Sequence, residues 1–190
     1  MLVDEARSAL KRFFGYDSFR PMQEEIISEV LAGRDAVVLM PTGGGKSLCY
    51  QIPAIVMDGI GIVISPLIAL MQYQVEGLIG NGVRAAFINS SRSAKDNTEI
   101  LHQALDGKLD LLYISPEKIV SMDFAPMLGQ LNISLFAVDE AHCISAWGHE
   151  FRPEYAKLAF LKQKFTSTPV IALTSFTASL ARTPKNWRPS

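Results

Sequence analysis

The sequence predicts an α/β fold in which one parallel sheet is covered by helices on both faces. Over most of its 190 residues, short apolar runs of strand length alternate with longer segments of helical periodicity. A glycine-rich stretch follows the first of these strands, and an acidic pair follows a later one. Strands that alternate with helices form βαβ units, and a parallel sheet buries both of its faces. A chain of this length can bury the core of one such domain without disulfides or metals.

Two helices are expected before the sheet. Apolar residues at helical spacing predict a helix over residues 2–14, which Gly15 ends, and a second helix that starts after Pro21 and ends at Gly33. The sheet begins with the apolar run 36–40. Further strands are predicted at residues 60–65, 85–89, 110–115, 134–139 and 169–174, and further helices at about 47–57, 67–80, 93–106, 116–130 and 153–164. Ligands of such sheets bind at the carboxyl ends of the strands, so the loops that follow them are the candidate sites.

The composition is that of an ordinary globular protein. A hydrophobic share of 48% and a charged share of 19% exclude a disordered or low-complexity chain. No apolar run approaches the roughly 18 residues of a membrane-spanning helix, and the amino terminus carries acids where a signal peptide carries basic residues. We therefore expect a cytosolic protein with no membrane partner.

The two cysteines and the net charge exclude further classes. Cys49 and Cys143 lie far apart and outside any Cys-x-x-Cys pair, which indicates buried thiols rather than a disulfide framework or a zinc site. The net charge of −1 provides no basic surface for nucleic acid. An interaction with DNA must therefore be argued from other features.

A phosphate loop is predicted between the first strand and the next helix. Gly43, Gly44 and Gly45 precede Lys46 and Ser47, and glycines let backbone N–H groups approach a polyphosphate while the helix N-terminus adds free donors. Lys46 is expected to reach the β- and γ-phosphates, and the Ser47 hydroxyl to ligate Mg²⁺. The match to G-x-x-x-x-G-K-[ST] is partial, because the first glycine is replaced by methionine. The alternative is a glycine-rich turn with an exposed lysine.

An adenine-recognition segment is predicted between the first two helices. Tyr16 and Arg20 offer flat surfaces on which a base can stack, and Gln23 carries the donor and acceptor that match adenine N6 and N7. The alternative interpretation is a helix cap with a packing tyrosine.

An acidic pair ends the strand predicted at residues 134–139. Asp139 can hold Mg²⁺ through water, while Glu140 can orient the water that attacks the γ-phosphate. An N-cap aspartate followed by a glutamate in the first turn is the alternative. The phosphate loop earlier in the chain favours the hydrolytic interpretation.

Aromatic residues follow the acidic pair at intervals of four. Trp147, Phe151 and Tyr155 alternate with His149 and Arg152. Aromatic rings interleaved with a cation on a loop can stack the bases of single-stranded nucleic acid. Core packing beneath a loop is the alternative interpretation.

Taken together, these stretches resemble the first motor lobe of a RecQ-type DNA helicase of superfamily 2. The resemblance runs from about Leu10 to Thr174, and its last motif separates RecQ proteins from other helicases. Five motifs occur in family order, at residues 19–23, 40–54, 65–71, 115–118 and 139–155.

The resemblance implies a RecA-like lobe at residues 34–174, preceded by the adenine-recognition helices at 1–33 and followed by an atypical tail at 175–190. It implies ATP and Mg²⁺ as cofactors, and DNA, single-stranded or forked, as the partner, with the loops after Ser65 and Ser115 on the DNA backbone. The location would be the cytoplasm with the bacterial nucleoid, or a eukaryotic nucleus. The implied residues are Tyr16, Arg20 and Gln23 for adenine; Thr42, Gly43, Gly44, Gly45, Lys46 and Ser47 for phosphate; Ser47 and Asp139 for Mg²⁺; Lys46, Asp139, Glu140 and His142 for catalysis; and His142, Trp147, His149, Phe151 and Arg152 for coupling DNA contact to hydrolysis.

Two departures from the family pattern bear on function. Met22 stands where the family has glycine, and the segment 174–178 is one residue longer than the family's Thr-Ala-Thr-Ala. Such helicases bind the nucleotide between two lobes, and the second lobe supplies an arginine finger. A truncated helicase lobe with weak or no activity of its own is therefore expected, with a second lobe lost or on another chain. The alternatives are a non-catalytic module that binds nucleotide or single-stranded DNA, and, more remotely, an unrelated phosphate-loop kinase.

Overall fold

Six parallel strands form one sheet. The computed structural model describes residues 2–89, 91–121, 124–144 and 152–176. The spatial order of the strands is β1-β6-β5-β2-β4-β3, and each neighbouring pair is parallel. The strands are β1 (Ala36–Pro41), β2 (Ile60–Ile64), β3 (Ala85–Ile88), β4 (Leu111–Ile114), β5 (Ile133–Val138) and β6 (Val170–Phe176). The predicted parallel sheet is confirmed, and β6 continues two residues past the boundary predicted after Thr174.

The helices occupy the predicted segments with two interruptions. They are α1 (Leu2–Ala9), continued by a π-helical turn (Leu10–Phe14), α2 (Gln23–Leu31), α3 (Leu48–Val56), α4 (Ile68–Gly80), α5 (Ala94–Leu105), α6 (Pro116–Ile119), α7 (Ala125–Leu128), α8 (Pro153–Lys157) and α9 (Ala159–Lys164), with a 3₁₀ turn at Ala141–Ile144. The helix predicted over 116–130 is divided, because Pro126 has no N–H to donate and favours the first turn of a new helix. The helix predicted over 153–164 divides at Leu158.

Apolar side chains cover the sheet on both faces. On one face, strand residues such as Val63 and Leu135 pack against α3 and α4. On the other, Ile62 and Phe136 pack against α5 and α9. The predicted three-layer arrangement is thereby confirmed. Both cysteines are buried and unbonded to each other, as expected. No helix among the described residues has the length and apolar character needed to cross a bilayer.

The parallel arrangement brings the predicted motifs to one edge of the sheet. The phosphate loop follows β1 and the acidic pair follows β5, with only β6 between these two strands. Ser65 and Ser115 come directly after β2 and β4, which are neighbours on the other side of β5. Any ligand that contacts these groups must therefore lie along the carboxyl edge.

Candidate nucleotide and nucleic-acid site

The phosphate loop (residues 42–47) has a backbone that only glycine fits at two positions. Gly43 and Gly45 adopt left-handed φ angles of 77° and 81°, which L-residues with a side chain rarely adopt. A Cβ on Gly44 would lie 2.9 Å from the Pro41 carbonyl oxygen, and one on Gly45 would lie 2.4 Å from Gln23 Nε2. The Pro41 carbonyl therefore excludes a side chain at Gly44, and the Gln23 amide excludes one at Gly45.

Several N–H groups of this loop are free to bind an anion. Within the described part of the chain, the backbone N–H groups of Gly43, Gly45, Lys46 and Ser47 donate no hydrogen bond. Helix α3 begins directly afterwards with Ser47 as its N-cap residue, so the positive end of its dipole points the same way. This is the arrangement in which a helix N-terminus binds phosphate.

Lys46 contacts a residue that sequence analysis did not identify. Its Nζ donates to Ser175 Oγ. Ser175 lies in β6 opposite Met40 of β1, so the pairing of the two strands carries this hydroxyl to the phosphate loop. The sequence pattern predicts a tail that begins at residue 175. The position of Ser175 beside the phosphate loop follows only from the register between β1 and β6.

The adenine-recognition residues are bound to the phosphate loop. Gln23 is 2% exposed; its Oε1 accepts from the Arg20 backbone N–H (2.7 Å), and its Nε2 donates to the Gly45 carbonyl (3.0 Å). Arg20 Nη1 donates to the Gly43 carbonyl (2.9 Å). Tyr16 is 55% exposed and free to stack. Gln23 must therefore exchange at least one of these hydrogen bonds before it can bind a base.

Met22 adopts the backbone conformation that a glycine would favour. Its φ is 71°, in the left-handed region, at the N-cap of α2. Its side chain is exposed, so nothing in its packing compensates the strained backbone. The departure from the family pattern therefore leaves the turn in place and adds conformational strain to it.

Asp139 is a buried carboxylate at the end of β5. Its Oδ1 accepts from the Glu140 backbone N–H (3.0 Å), and its carbonyl accepts from the Tyr155 hydroxyl (2.8 Å). Burial raises the pKa of Asp139 to about 6 and the charge of Glu140 adds to the rise, while Glu140 N–H, Lys46 and His142 oppose it. Its Oδ2 accepts no hydrogen bond from a described residue. A cation bound to Asp139 would lower its pKa, because it would offset both the cost of burying the charge and the repulsion by Glu140.

Glu140 and His142 connect the acidic pair to β6. His142 Nδ1 lies 3.0 Å from Thr174 Oγ1 and 3.3 Å from Glu140 Oε2. Glu140 has a positive φ of 51°, and the chain continues into a 3₁₀ turn rather than an α-helix. The alternative of an ordinary helix cap at Asp139 is therefore not the local structure.

One cleft joins the phosphate loop to the acidic pair. It has a volume of about 480 Å³ and an opening to solvent. Besides Thr42, the three glycines, Lys46 and Ser47, it is lined by Phe14, Tyr16, Arg20, Leu48, Gln51, Leu70, Gln74, Asp139, Glu140 and Ser175. We call it the phosphate-loop cleft. It contains the predicted phosphate and metal residues together with Tyr16 and Arg20.

The donors in the cleft suit Mg²⁺ better than a protein-ligated transition metal. Among the described residues, no group of three or more His, Cys, Asp or Glu side chains is arranged to hold a metal ion. Mg²⁺ typically takes one or two protein oxygens and completes its shell with phosphate and water. The Ser47 hydroxyl and the Asp139 carboxylate provide such a pair, so these residues fit Mg²⁺ that arrives with a polyphosphate.

A second set of polar groups lies along the carboxyl edge, beyond the cleft. Ser65, Ser115 and Asn89 are buried at the ends of β2, β4 and β3. The Oγ atoms of both serines and Nδ2 of Asn89 have no hydrogen-bond partner among the described residues. Buried polar groups are normally satisfied, and these three atoms are closed to solvent, so a ligand at this edge would contact the loops that follow the strands rather than these atoms.

The aromatic segment after the acidic pair is described only in part. The predicted coupling residues Trp147, His149 and Phe151 lie outside the described residues. Arg152 donates its N–H to the Cys143 carbonyl (3.0 Å), and its Nη1 lies 3.4 Å from Glu117 Oε1. It lines a neighbouring cavity of about 530 Å³ that also contacts Thr42, Glu140 and Ser175. Tyr155 is buried in the core, which for this residue confirms packing rather than base stacking.

Comparison with known proteins agrees with this geometry. The DEAD/DEAH box helicase family matches residues 20–187. "ATP-dependent DNA helicase RecQ" of Haemophilus influenzae is 51% identical over 170 residues, which are 90% of this chain and 28% of that protein. The RecQ protein of Bacillus subtilis is 45% identical over 94% of this chain and 30% of that protein.

Solved helicase structures share the fold. The DUF1998 helicase MrfA bound to DNA has a TM-score of 0.70 at 21% identity, over 92% of this chain and 26% of that one. A hypothetical ATP-dependent RNA helicase from Sulfolobus tokodaii has a TM-score of 0.68 at 18% identity, over 92% and 50%. The chain spans less than a third of the length of the two RecQ relatives. It belongs to the DEAD/DEAH box helicase family and matches the amino-terminal part of its RecQ members.

Proposed function

We propose that this chain binds ATP with Mg²⁺ in the phosphate-loop cleft, as the first motor lobe of a RecQ-type DNA helicase. The observation that carries the proposal is the cleft itself, in which free backbone N–H groups and Lys46 face a buried aspartate. Family membership supports the same function, because the RecQ relatives are named ATP-dependent DNA helicases.

Binding would begin with an exchange of hydrogen bonds. Lys46 would leave Ser175 and bind the terminal phosphates, where its charge is worth more than in its contact with a neutral hydroxyl. The N–H groups of Gly45, Lys46 and Ser47 would bind the same phosphates. Tyr16 and Arg20 would stack the base, and Gln23 would bind it after releasing Arg20 N or Gly45 O.

Ser47 and the ionised Asp139 would hold Mg²⁺, which neutralises phosphate charge during hydrolysis. Glu140 would orient the attacking water and accept its proton. His142, placed between Glu140 and Thr174, would hold the Glu140 carboxylate and link it to β6. A second lobe, on the further length that RecQ relatives have, would complete the site; without its arginine, turnover is expected to be lower by about 10³ to 10⁵.

We further propose that single-stranded DNA lies across the carboxyl ends of β2 and β4. The loops that follow Ser65 and Ser115 support this path, because they lie side by side at the carboxyl edge. Lys118, just after Ser115, carries a charge that can bind a DNA phosphate. A few placed contacts of this kind suffice for a chain whose net charge is −1.

Titration with a fluorescent ATP analogue in the presence of Mg²⁺ tests the nucleotide proposal. Lys46→Ala is expected to weaken binding at least tenfold, since a charge-assisted hydrogen bond contributes about 1.5–3 kcal/mol. Lys95→Ala is the matched control: Lys95 is exposed on α5, beside β3 at the opposite edge of the sheet, and its loss should change nothing. Equal affinities of the wild type and Lys46→Ala would refute the proposed site.

A non-catalytic nucleotide-binding module is the second candidate. The Lys46–Ser175 contact favours it, because the lysine has a hydrogen-bond partner of its own within the cleft. Single-turnover hydrolysis with and without single-stranded DNA separates the two. Phosphate release that DNA accelerates supports the motor lobe, whereas intact binding with no release in either condition supports the module.

A further inference from the structure

A chain of buried hydrogen bonds lies beneath the phosphate-loop cleft. Gln51 Nε2 donates to the Tyr113 hydroxyl (3.0 Å), the Tyr113 and Tyr50 hydroxyls lie 3.2 Å apart, and Tyr50 donates to Gln74 Oε1 (2.8 Å). Since the single Tyr50 proton goes to Gln74, Tyr113 must donate to Tyr50. The four groups therefore form a head-to-tail series, which we call the tyrosine relay.

The tyrosine relay connects three elements, each of which adjoins a loop that we propose to bind nucleotide or DNA. Tyr50 and Gln51 belong to α3, which starts at the phosphate loop, and Tyr113 belongs to β4, two residues before Ser115. Gln74 belongs to α4, which begins just after the loop that follows Ser65. Helix α4 packs mainly on β3 and β4. The Tyr50–Gln74 hydrogen bond links α4 directly to α3.

The relay is buried where apolar side chains would pack as well. Tyr50 and Tyr113 are each 1% exposed and lie among the apolar residues of one sheet face. Burial raises the pKa of both hydroxyls, and the nearby Asp139 carboxylate adds to the rise, so both remain neutral donors. Buried polar groups cost free energy unless each is satisfied. In the relay each hydroxyl accepts one hydrogen bond and donates one, which fixes a single arrangement.

The two glutamines at the ends of the relay reach the cleft. Gln51 and Gln74 both line it together with Lys46, Ser47 and Asp139. Hydrogen bonds weaken steeply when their length or angle changes. A displacement of α4 or of the end of β4 therefore changes the strength of the bonds that orient the first turns of α3.

We propose that the tyrosine relay couples DNA contact at the loops that follow Ser65 and Ser115 to nucleotide binding at the phosphate loop. Tyr50 and Tyr113 act as positioning residues, because neither contacts a ligand and both hold the elements that do. This inference rests on the proposed function: it assigns a route by which DNA alters the affinity of the same cleft for ATP.

The test measures affinity for a non-hydrolysable fluorescent ATP analogue, with Mg²⁺, in the presence and absence of saturating oligothymidylate. The ratio of the two dissociation constants is the coupling factor, which is about 5 or more for an allosteric pair of sites. Tyr50→Phe and Tyr113→Phe keep the aromatic rings and remove the hydroxyls. We expect each to bring the coupling factor close to 1 while the affinity without DNA stays within about twofold. The double variant should resemble each single variant, since one broken link interrupts the series.

Tyr73→Phe is the matched control, because Tyr73 precedes Gln74 on α4 and is 75% exposed. It should keep the wild-type coupling factor. Thermal unfolding of each variant shows whether the fold persists, and the Tyr113→Phe result stands if Tyr50→Phe is too unstable. A wild-type coupling factor of 1, or an unchanged factor in a folded relay variant, overturns the inference while leaving nucleotide binding established. Absence of nucleotide binding by the wild type refutes the proposed function itself.

Discussion

Replacing Asp139 by asparagine is expected to stabilise the fold at neutral pH. The residue is 6% exposed, and burial, with the charge of Glu140, raises its pKa from 3.8 to about 6. A carboxyl group whose pKa is higher in the folded chain binds its proton more tightly there, so folding is favoured by the protonated form. As the pH rises from the pKa of Asp139 in the unfolded chain to its pKa in the folded chain, ionisation of this buried group lowers the stability of the fold progressively.

The size of this cost follows from the two pKa values. A rise from 3.8 to about 6 corresponds to about 3 kcal/mol at pH 7.5, to roughly half of that at pH 5 and to a small fraction of it at pH 4. Asparagine has the same shape, and its oxygen can still accept the Glu140 N–H. For a chain of 190 residues, the gain at pH 7.5 should raise Tm by roughly 6–12 °C.

Chemical unfolding at pH 7.5 and pH 5 measures the effect. The buffer should contain EDTA and no nucleotide, because a bound cation would neutralise the carboxylate and remove its cost. Asp17→Asn is the control, since the Asp17 side chain is 83% exposed and its neutralisation should leave stability nearly unchanged at either pH. The reasoning is refuted if Asp139→Asn is no more stable than the wild type at pH 7.5, or if its gain is the same at both pH values.

Three further changes should alter stability or binding in predictable directions. Met22→Gly should raise the free energy of unfolding by about 0.5–1 kcal/mol, because glycine adopts the left-handed φ of 71° without strain; Met22→Ala, measured in the same denaturant series, should give no such gain. Gly45→Ala should weaken ATP-analogue binding about tenfold or more, because its Cβ would displace Gln23 Nε2 and its φ is 81°; unchanged affinity would show that the loop adapts. Lys118→Ala, in α6 directly after Ser115, should lower affinity for single-stranded DNA about twofold or more in anisotropy titrations, because a cation that can bind a phosphate is lost; unchanged affinity would exclude this loop from the DNA path, and an equal loss of nucleotide affinity would indicate misfolding instead.

The sheet was predictable because its signal is local. Apolar runs bounded by turns mark β2, β4 and β5 to within one or two residues, since strands buried on both faces read as continuous apolar segments. The end of β6 was not predictable in this way, because it depends on pairing with β1 through Ser175 and Phe176. The break before Pro126 carried a local signal in the proline itself.

The site was predictable where spacing along the chain determines contact. The phosphate loop and Asp139 meet because both follow strands of one parallel sheet, and sequence order implies this. Hydrogen bonds between distant segments carry no such signal: Lys46 with Ser175 and Tyr50 with Tyr113 are joined only by the folded topology. The same holds for Gln23, whose amide suggested base recognition and which the structure places on the Gly45 carbonyl.

The cleft concentrates features that lower the stability of this fold, and that concentration is itself an argument for ligand binding. Among the described residues, Met22 and Glu140 are the non-glycine residues with positive φ, and they adjoin the adenine segment and the acidic pair. Asp139 adds a buried charge of raised pKa. Strain and unfavourable charge persist where a ligand uses them. Asp139 and Glu140 line the cleft, and Met22 precedes Gln23, which donates to the Gly45 carbonyl of the phosphate loop. A bound Mg²⁺ and polyphosphate would neutralise Asp139 and bind the free N–H groups, so the ligand would stabilise the fold.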